Sequence, residues 1–257
     1  MTTTAPEIGM NWNAKALRVT AFFRLGWDVP APTSRSFWKA ACSDDPEVSE
    51  RGLGHSQDVG RWNNGKLLVK TEPAGGDMFR IDMIWETAWY REDGITTLEA
   101  FSALINNLVK SPQFPVMSRL AIAANVGWPV PDRANAYKKL STLLPRIHFD
   151  EQIREAMFRY NRQGPSKYVG EAKPADILIN RVSTWSCQQV TQLMPFFVYN
   201  SVPDVTTSRP FEIVAACDQD LSTDAEHDGK WDSVQSLAWI DCLIEEARKI
   251  IEKGDPL

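Results

Sequence analysis

The chain has 257 residues, with 28 Lys and Arg against 33 Asp and Glu, a formal charge of −5. Hydrophobic residues make up 43% and charged residues 24%, which excludes an intrinsically disordered chain and fits one large globular domain or two small ones. The mild negative balance argues against a general nucleic-acid coat protein, and the lack of an 18-residue apolar run excludes a membrane-spanning helix.

Residues 1–13 read as a loose N-terminal arm. Residues 14–257 read as a single α+β domain built from two strand–helix halves, about 14–145 and 146–257. Leu17, Val19, Ala21 and Phe23 alternate with Arg18, Thr20, Phe22 and Arg24, the period of a half-buried strand. Pro30, Pro32 and Ser34 end it, and the polar stretch from Asp44 to Gly60 reads as a loop. Asn64-Gly65 signals a type I′ hairpin turn between Asp58–Trp62 and Lys66–Lys70, because both central positions need positive φ. After the turn Pro73–Gly76, Phe79, Ile81, Met83 and Trp85 share one strand face while Arg80 and Asp82 take the other.

Leu98, Phe101, Leu104, Ile105 and Leu108 recur at helical spacing, and Thr96 with Glu99 fits a capping box. Met117–Val126 reads as a strand, and Ala134–Leu143 and Glu151–Asn161 as helices. Ile177–Trp185, Gln189–Tyr199 and Phe211–Asp218 read as further strands. The chain closes on a helix from about Asp232 to Lys253, with Asp232 as N-cap and Gly254 beyond its end. Its apolar stripe is Val234, Leu237, Ala238, Ile244 and Ile251; Glu245, Glu246, Arg248 and Lys249 are expected to face water. Strands adjacent in sequence pair antiparallel, since parallel neighbours need crossovers. The expected fold is therefore α+β: a curved antiparallel sheet with amphipathic helices on one face, in a pattern that allows a divergent two-half repeat.

Chemical motifs are sparse. Cys42, Cys187, Cys217 and Cys242 are too widely spaced to form the paired ligands of a structural zinc site. Together with a polar start that lacks a signal-like apolar region, they are expected to be reduced thiols of a cytoplasmic protein. Gly54-His55-Ser56-Gln57-Asp58 begins like a nucleophile elbow but has Asp58 where the final glycine belongs. No nucleotide-binding glycine loop is present. From Asp218 the chain runs Asp218, Asp220, Ser222, Asp224; a calcium loop would need glycine at Thr223 and glutamate at Gly229. Asp218 and Asp220, two apart at a strand end, point the same way and are the candidate metal-binding carboxylates of a hydrolase or nuclease. Arg154, Arg159, Arg162 and Lys167, interleaved with Tyr160 and Tyr168, are the candidate nucleic-acid or phosphate-binding residues.

The strand Lys66–Lys70 followed by Phe79–Trp85, the helix around Phe101, the strand Ser118–Asn125 and the Cys217-Asp218-Gln219-Asp220 run before the closing helix resemble a sporadically distributed, uncharacterised prokaryotic protein family of about this length. The resemblance spans Leu17 to Ile251. It implies a cytosolic accessory-genome protein, and by analogy a role in antiviral defence. Three functions follow. The first is a non-catalytic binding protein with a protein partner, a subunit of a prokaryotic defence or mobile-element system. The second is a metal-dependent enzyme using Asp218 and Asp220, and the third is a sensor of nucleotides or nucleic acid.

Overall fold

The structure, a computed structural model, describes residues 12–25, 32–149, 153, 155–165, 178–190, 212–224 and 230–253. Among them the architecture is α+β: four helices and one open, curved, antiparallel sheet. The first part of the chain contributes β1 (Asn13–Arg24), α1 (Ser34–Ala41), β2 (Val48–Arg51), β3 (Ser56–Trp62), β4 (Gly65–Gly75), β5 (Met78–Glu86), the two-residue β6 (Glu92–Asp93) and α2 (Gly94–Val109). Then come β7 (Met117–Val130), α3 (Arg133–Leu143), β8 (Met157–Pro165), β9 (Leu178–Val190), β10 (Glu212–Thr223) and α4 (Ser233–Lys253). The strands lie in the order β2-β3-β4-β5-β1-β7-β10-β9-β8, with β6 paired to β1.

Strand alternation decides which side chains meet. Leu17 sits opposite Trp85 of β5 and Ala124 of β7, and Trp85 sits opposite Leu67 of β4. All four are buried. The expected face Phe79, Ile81, Met83, Trp85 belongs to this set, with Arg80 and Asp82 turned away. α1 sets Trp38 over Gly60, where a Cβ would lie 2.9 Å from the indole. α2 brings Phe101 to 6.2 Å from Trp62, α3 reaches Gln189 through Arg133 at 3.2 Å, and α4 reaches Arg181 through Glu246 at 3.1 Å. Trp12, Trp38, Trp85, Trp185, Trp231 and Trp239 are buried, so most described tryptophans fill the core. Trp12 packs edge-on against Trp128 and Trp185, each at 6.0 Å. Trp12 and Asn13 thus belong to the domain; residues 1–11 of the expected arm lie outside the described residues.

Several elements differ from expectation, each for a local reason. The hairpin turn is centred one residue earlier, on Asn63 and Asn64 at φ 46° and 60°. Gly65 already pairs with Trp62, and its lack of a side chain admits the Trp85 indole, whose Nε1 would lie 2.2 Å from a Cβ there. That indole donates to the Trp62 carbonyl at 3.0 Å. α2 starts at Gly94 because Asp93, not Thr96, caps it, accepting the Thr96 amide at 2.8 Å. α1 forms just after the expected strand break, where no element was expected, and β2 and the start of β3 form within the expected loop Asp44–Gly60. Ile177–Trp185 and Gln189–Val190 fall in one continuous strand, β9, with Ile177 and residues 191–199 outside the described residues. β8 replaces the end of the expected helix Glu151–Asn161: exposed Met157, Arg159, Asn161 and Gln163 alternate with half-buried Phe158, Tyr160 and Arg162, a period of two. In α4 the expected N-cap holds, Asp232 accepting the Gln235 amide at 2.9 Å. Val234 is exposed, whereas Glu246, expected to face water, is buried against Arg181.

At the β3 end Asp58 is wholly buried. It accepts from Ser34 at 2.5 Å, from Ser49, and, through both carboxylate oxygens, from Arg51 Nη2 at 3.0 Å. Ser56, the would-be nucleophile beside it, accepts the Ser34 amide at 2.7 Å and bonds Thr71 at 2.8 Å. These residues clamp α1 onto β3. Burial by itself would raise the Asp58 carboxyl, but the hydrogen bonds from Ser34, Ser49 and Arg51 win and hold it below its ordinary value. Asp58→Asn is predicted to cost about 3 kcal/mol at pH 7 in urea unfolding, by leaving Arg51 without its anion. A lowered native pKa gives stability that is present above the ordinary value of 3.8 and lost as pH falls through the native one, so the variant's deficit shrinks in acid.

Candidate functional site

The alternation that buries Leu17 and Val19 turns Arg18, Thr20 and Phe22 to the other side of β1, in the middle of the sheet. The register places Asp82 of β5 opposite Thr20, and Asp218 of β10 opposite Asn125 of β7. Thr20 donates to Asp82 at 2.6 Å, and the Asn125 amide donates to Asp218. Arg18 donates across β7 to Asp220 at 3.0 Å. Towards β4, Arg80 lies 3.0 Å from Asp82 and also binds Glu72, which Lys70 approaches to 2.5 Å. Arg119 of β7 stacks at 5.1 Å over Phe22. The result is a band of paired opposite charges running across β4, β5, β1, β7 and β10.

At one end of the band sits Tyr90, from the segment between β5 and β6. Its carbonyl accepts from Asn13 at 2.8 Å, and its hydroxyl donates to Gln188 of β9 at 3.1 Å. The ring lies across Gly127, where a Cβ would come within 2.7 Å of it, and the Lys15 ammonium is 5.4 Å from its centroid. Burial, and then the nearby Asp218 charge, push the Tyr90 phenol well above its ordinary value. Burial likewise raises the Asp218 carboxyl, opposed by the Asn125 hydrogen bond and by Lys15. The neighbouring acids therefore occupy different environments: Asp218 is biased toward keeping its proton, whereas Asp220 is matched to a guanidinium.

Asp218 and Asp220 share a face, as their spacing implies, but they lie within β10, which runs on to Thr223, not at a strand end. Asn125 and Arg18 already engage their oxygens. Among the described residues no three His, Cys, Asp or Glu side chains gather around a common point. Of the basic candidates, Arg159 and Arg162 are three apart on a strand and face opposite sides. Arg159 pairs with Thr184 in the row of Asp218, while Arg162 stacks at 5.3 Å on Tyr160 on the other side of β8. Arg154 and Lys167 lie outside the described residues. Cys217 and Cys242 are buried, and burial raises the Cys42 thiol to about 11. No helix among the described residues is long and apolar enough to cross a membrane.

Sequence reasoning did not find Arg18, Asn125, Lys15 or Tyr90. Period-two patterning put Arg18 on the polar side of its strand, but its partner is 202 positions away. No protein-family model, curated protein or solved structure matches the chain.

A raised native pKa makes the protonated Asp218 the stabilising form: its contribution is whole below the ordinary value of 3.8 and is lost as pH rises through the native one. Asp218→Asn keeps an acceptor for Asn125 and is predicted to stabilise the protein at pH 7, by about 1 kcal/mol or less given its partial exposure. Thermal unfolding at pH 7 and at pH 3.5 or so checks this, the gain disappearing in acid.

Proposed function

We propose that this chain is a non-catalytic binding protein whose charged sheet face is the platform for a protein partner. In this reading all four helices cover the Leu17–Trp85 face, which supplies the core, and leave the Arg18–Asp220 face to the partner. One observation carries it. Arg18 and Asp220 belong to central strands, yet their side chains remain 42% and 44% exposed. A sheet centre covered on both sides would bury such a pair.

The charges favour a protein over a nucleic acid. Lys70, Arg80, Arg18, Arg119 and Arg159 alternate with Glu72, Asp82, Asp218 and Asp220 on this face. A phosphate backbone would be repelled by the four carboxylates, whereas a mixed-charge protein surface can match both signs. The family resemblance supports placing that partner in a prokaryotic defence or mobile-element system.

The platform has an internal symmetry, on our reading. Both parts of the chain run strand, helix, three strands, helix once the edge strand β2 and the short β6 are set aside: β1-α1-β3-β4-β5-α2 and β7-α3-β8-β9-β10-α4. The sheet orders β3-β4-β5-β1 and β8-β9-β10-β7 meet at β1 and β7. We take this as a divergent duplication that divides between Lys110 and Met117, not at 145/146. It sets the Thr20–Asp82 bond and the Asn125–Asp218 bond on either side of Arg18 as equivalents.

The test is purification of the full chain at low salt, with size exclusion and mass spectrometry, beside the Arg18→Ala/Asp220→Ala double variant. Removing both partners of an exposed pair leaves no orphaned charge, so folding stability should change by about 1 kcal/mol or less. A stoichiometric protein partner bound roughly tenfold more weakly by the double variant is the expected result. A stoichiometric nucleic acid, or a substrate turnover abolished by Asp218→Asn, would overturn it.

A further inference from the structure

The face that carries Arg18 has one apolar row. Val48 of β2 lies opposite Val59 of β3, Val59 opposite Leu68 of β4, Leu68 opposite Ile84 of β5, and Ile84 opposite Arg18. Val48 is 51% exposed, and Val59, Leu68 and Ile84 are half-buried. Beyond Arg18 the row runs on as Ala123, Asp220, Val182 and Asn161, so the apolar stretch belongs to β2–β5. One flanking row is Glu50, Gln57, Lys70 and Asp82; the other is Arg61, Lys66 and Glu86. An apolar centre with a charged rim is the anatomy of a protein–protein contact.

The second flanking row contains a mismatch. Arg61 and Lys66 lie directly opposite each other on β3 and β4, so their side chains share this face. Like charges placed so destabilise a sheet. Each cation has its acid on the outer side: Glu47, just before β2, lies 3.3 Å from Arg61 Nε, and Glu86 of β5 lies 3.1 Å from Lys66. Across the sheet the signs therefore run minus, plus, plus, minus. The Glu47 contact is at Nε, which leaves the terminal nitrogens of a side chain 90% exposed open to a second anion. Both cations, with Glu47, Val59, Glu86 and Ala88, line a cavity of about 790 Å³. A carboxylate set between Arg61 and Lys66 would turn the run into strict alternation.

We propose that this strip docks an acidic amphipathic helix of the protein partner, one carboxylate bridging Arg61 and Lys66 at the cavity and the apolar stripe covering Val59, Leu68 and Ile84. The inference rests on the reading of this face as a protein platform. A helix fits the spacing, because strands lie about 4.8 Å apart and a helical turn rises about 5.4 Å, so residues one turn apart meet neighbouring strands. An added strand does not fit: β3, β4 and β5 are paired on both edges and offer no backbone groups, whereas a helix satisfies its own. A second copy of this chain fits worse. Face to face, a two-fold along the row sets Lys66 against Lys70 and Glu86 against Asp82. A two-fold along the strands, between β3 and β4, sets Arg61 against Lys66 and Glu50 against Asp82. Either way like charges meet, which disfavours self-pairing.

The probe is a labelled helical peptide of roughly 15 residues, with leucines one turn apart and a glutamate beside the central leucine. Fluorescence anisotropy follows its titration with the full chain. Saturable binding is expected, weakened roughly tenfold by Lys66→Gln, by Leu68→Ser and by glutamine in place of the peptide's glutamate, and unchanged by Arg159→Gln. Circular dichroism confirms that the variants fold. Absence of saturable binding up to about 1 mM chain, equal affinity for the glutamine peptide, or an equal loss in Arg159→Gln would overturn the proposal. Self-association of the free chain that Leu68→Ser abolishes would also overturn it, by giving the strip to a second copy. The titration uses a peptide and not the native partner, so its result is read separately from that of the Arg18→Ala/Asp220→Ala comparison.

Discussion

Everything in this molecule hangs on the pairing of β1 with β7. It joins the two parts of the chain into one sheet, and its register aligns Leu17 with Ala124 and Val19 with Ile122 on the core side. A slip of one residue would turn Arg18, Thr20 and Phe22 into the core and expose the apolar set. Burial of Leu17, Val19, Ala21 and Phe23 therefore fixes where every charged group on the far side must sit. An irregularity between Ala14 and Ala16 absorbs one extra residue, Lys15, at the Tyr90 end of the charged band.

Given that register, the charged band follows from the sequence of each strand. Thr20 meets Asp82 and Asn125 meets Asp218 because they occupy facing positions, and Arg18 reaches past Ala123 to Asp220. Most of these groups find an opposite partner within the fold, which fits a recognition surface better than a reaction centre. Asp218 departs from the pattern, holding its proton more tightly because burial outweighs the Asn125 hydrogen bond and the Lys15 charge that oppose it. Its neighbours supply neither a nucleophile nor a third metal ligand among the described residues.

The sequence revealed local periodicity well and long-range pairing hardly at all. β1, β5, β7 and α3 were legible because their apolar spacing is regular over many residues. β8 was misread because Arg159, Tyr160 and Arg162 are amphipathic, and edge strands carry little apolar signal. α1 was hidden by Pro30 and Pro32, which obscured a two-turn helix held chiefly by Trp38 and by the Ser34–Asp58 bond. The elbow-like sequence around Ser56 has a structural cause: its hydroxyl accepts the Ser34 amide at the start of α1 and bonds Thr71. The Arg18–Asp220 contact and the apolar row from Val48 to Ile84 needed the sheet order, which strand patterns alone do not encode.

The central claim is that one side of this sheet is open in the isolated protein. Hydroxyl-radical footprinting read by mass spectrometry tests it residue by residue. The account predicts that Phe22, Leu68, Ile84 and Val182 are modified readily while their strand neighbours Phe23, Leu67, Met83 and Ser183 are protected. Equal protection of both sets would mean that the charged face is covered, and would contradict it.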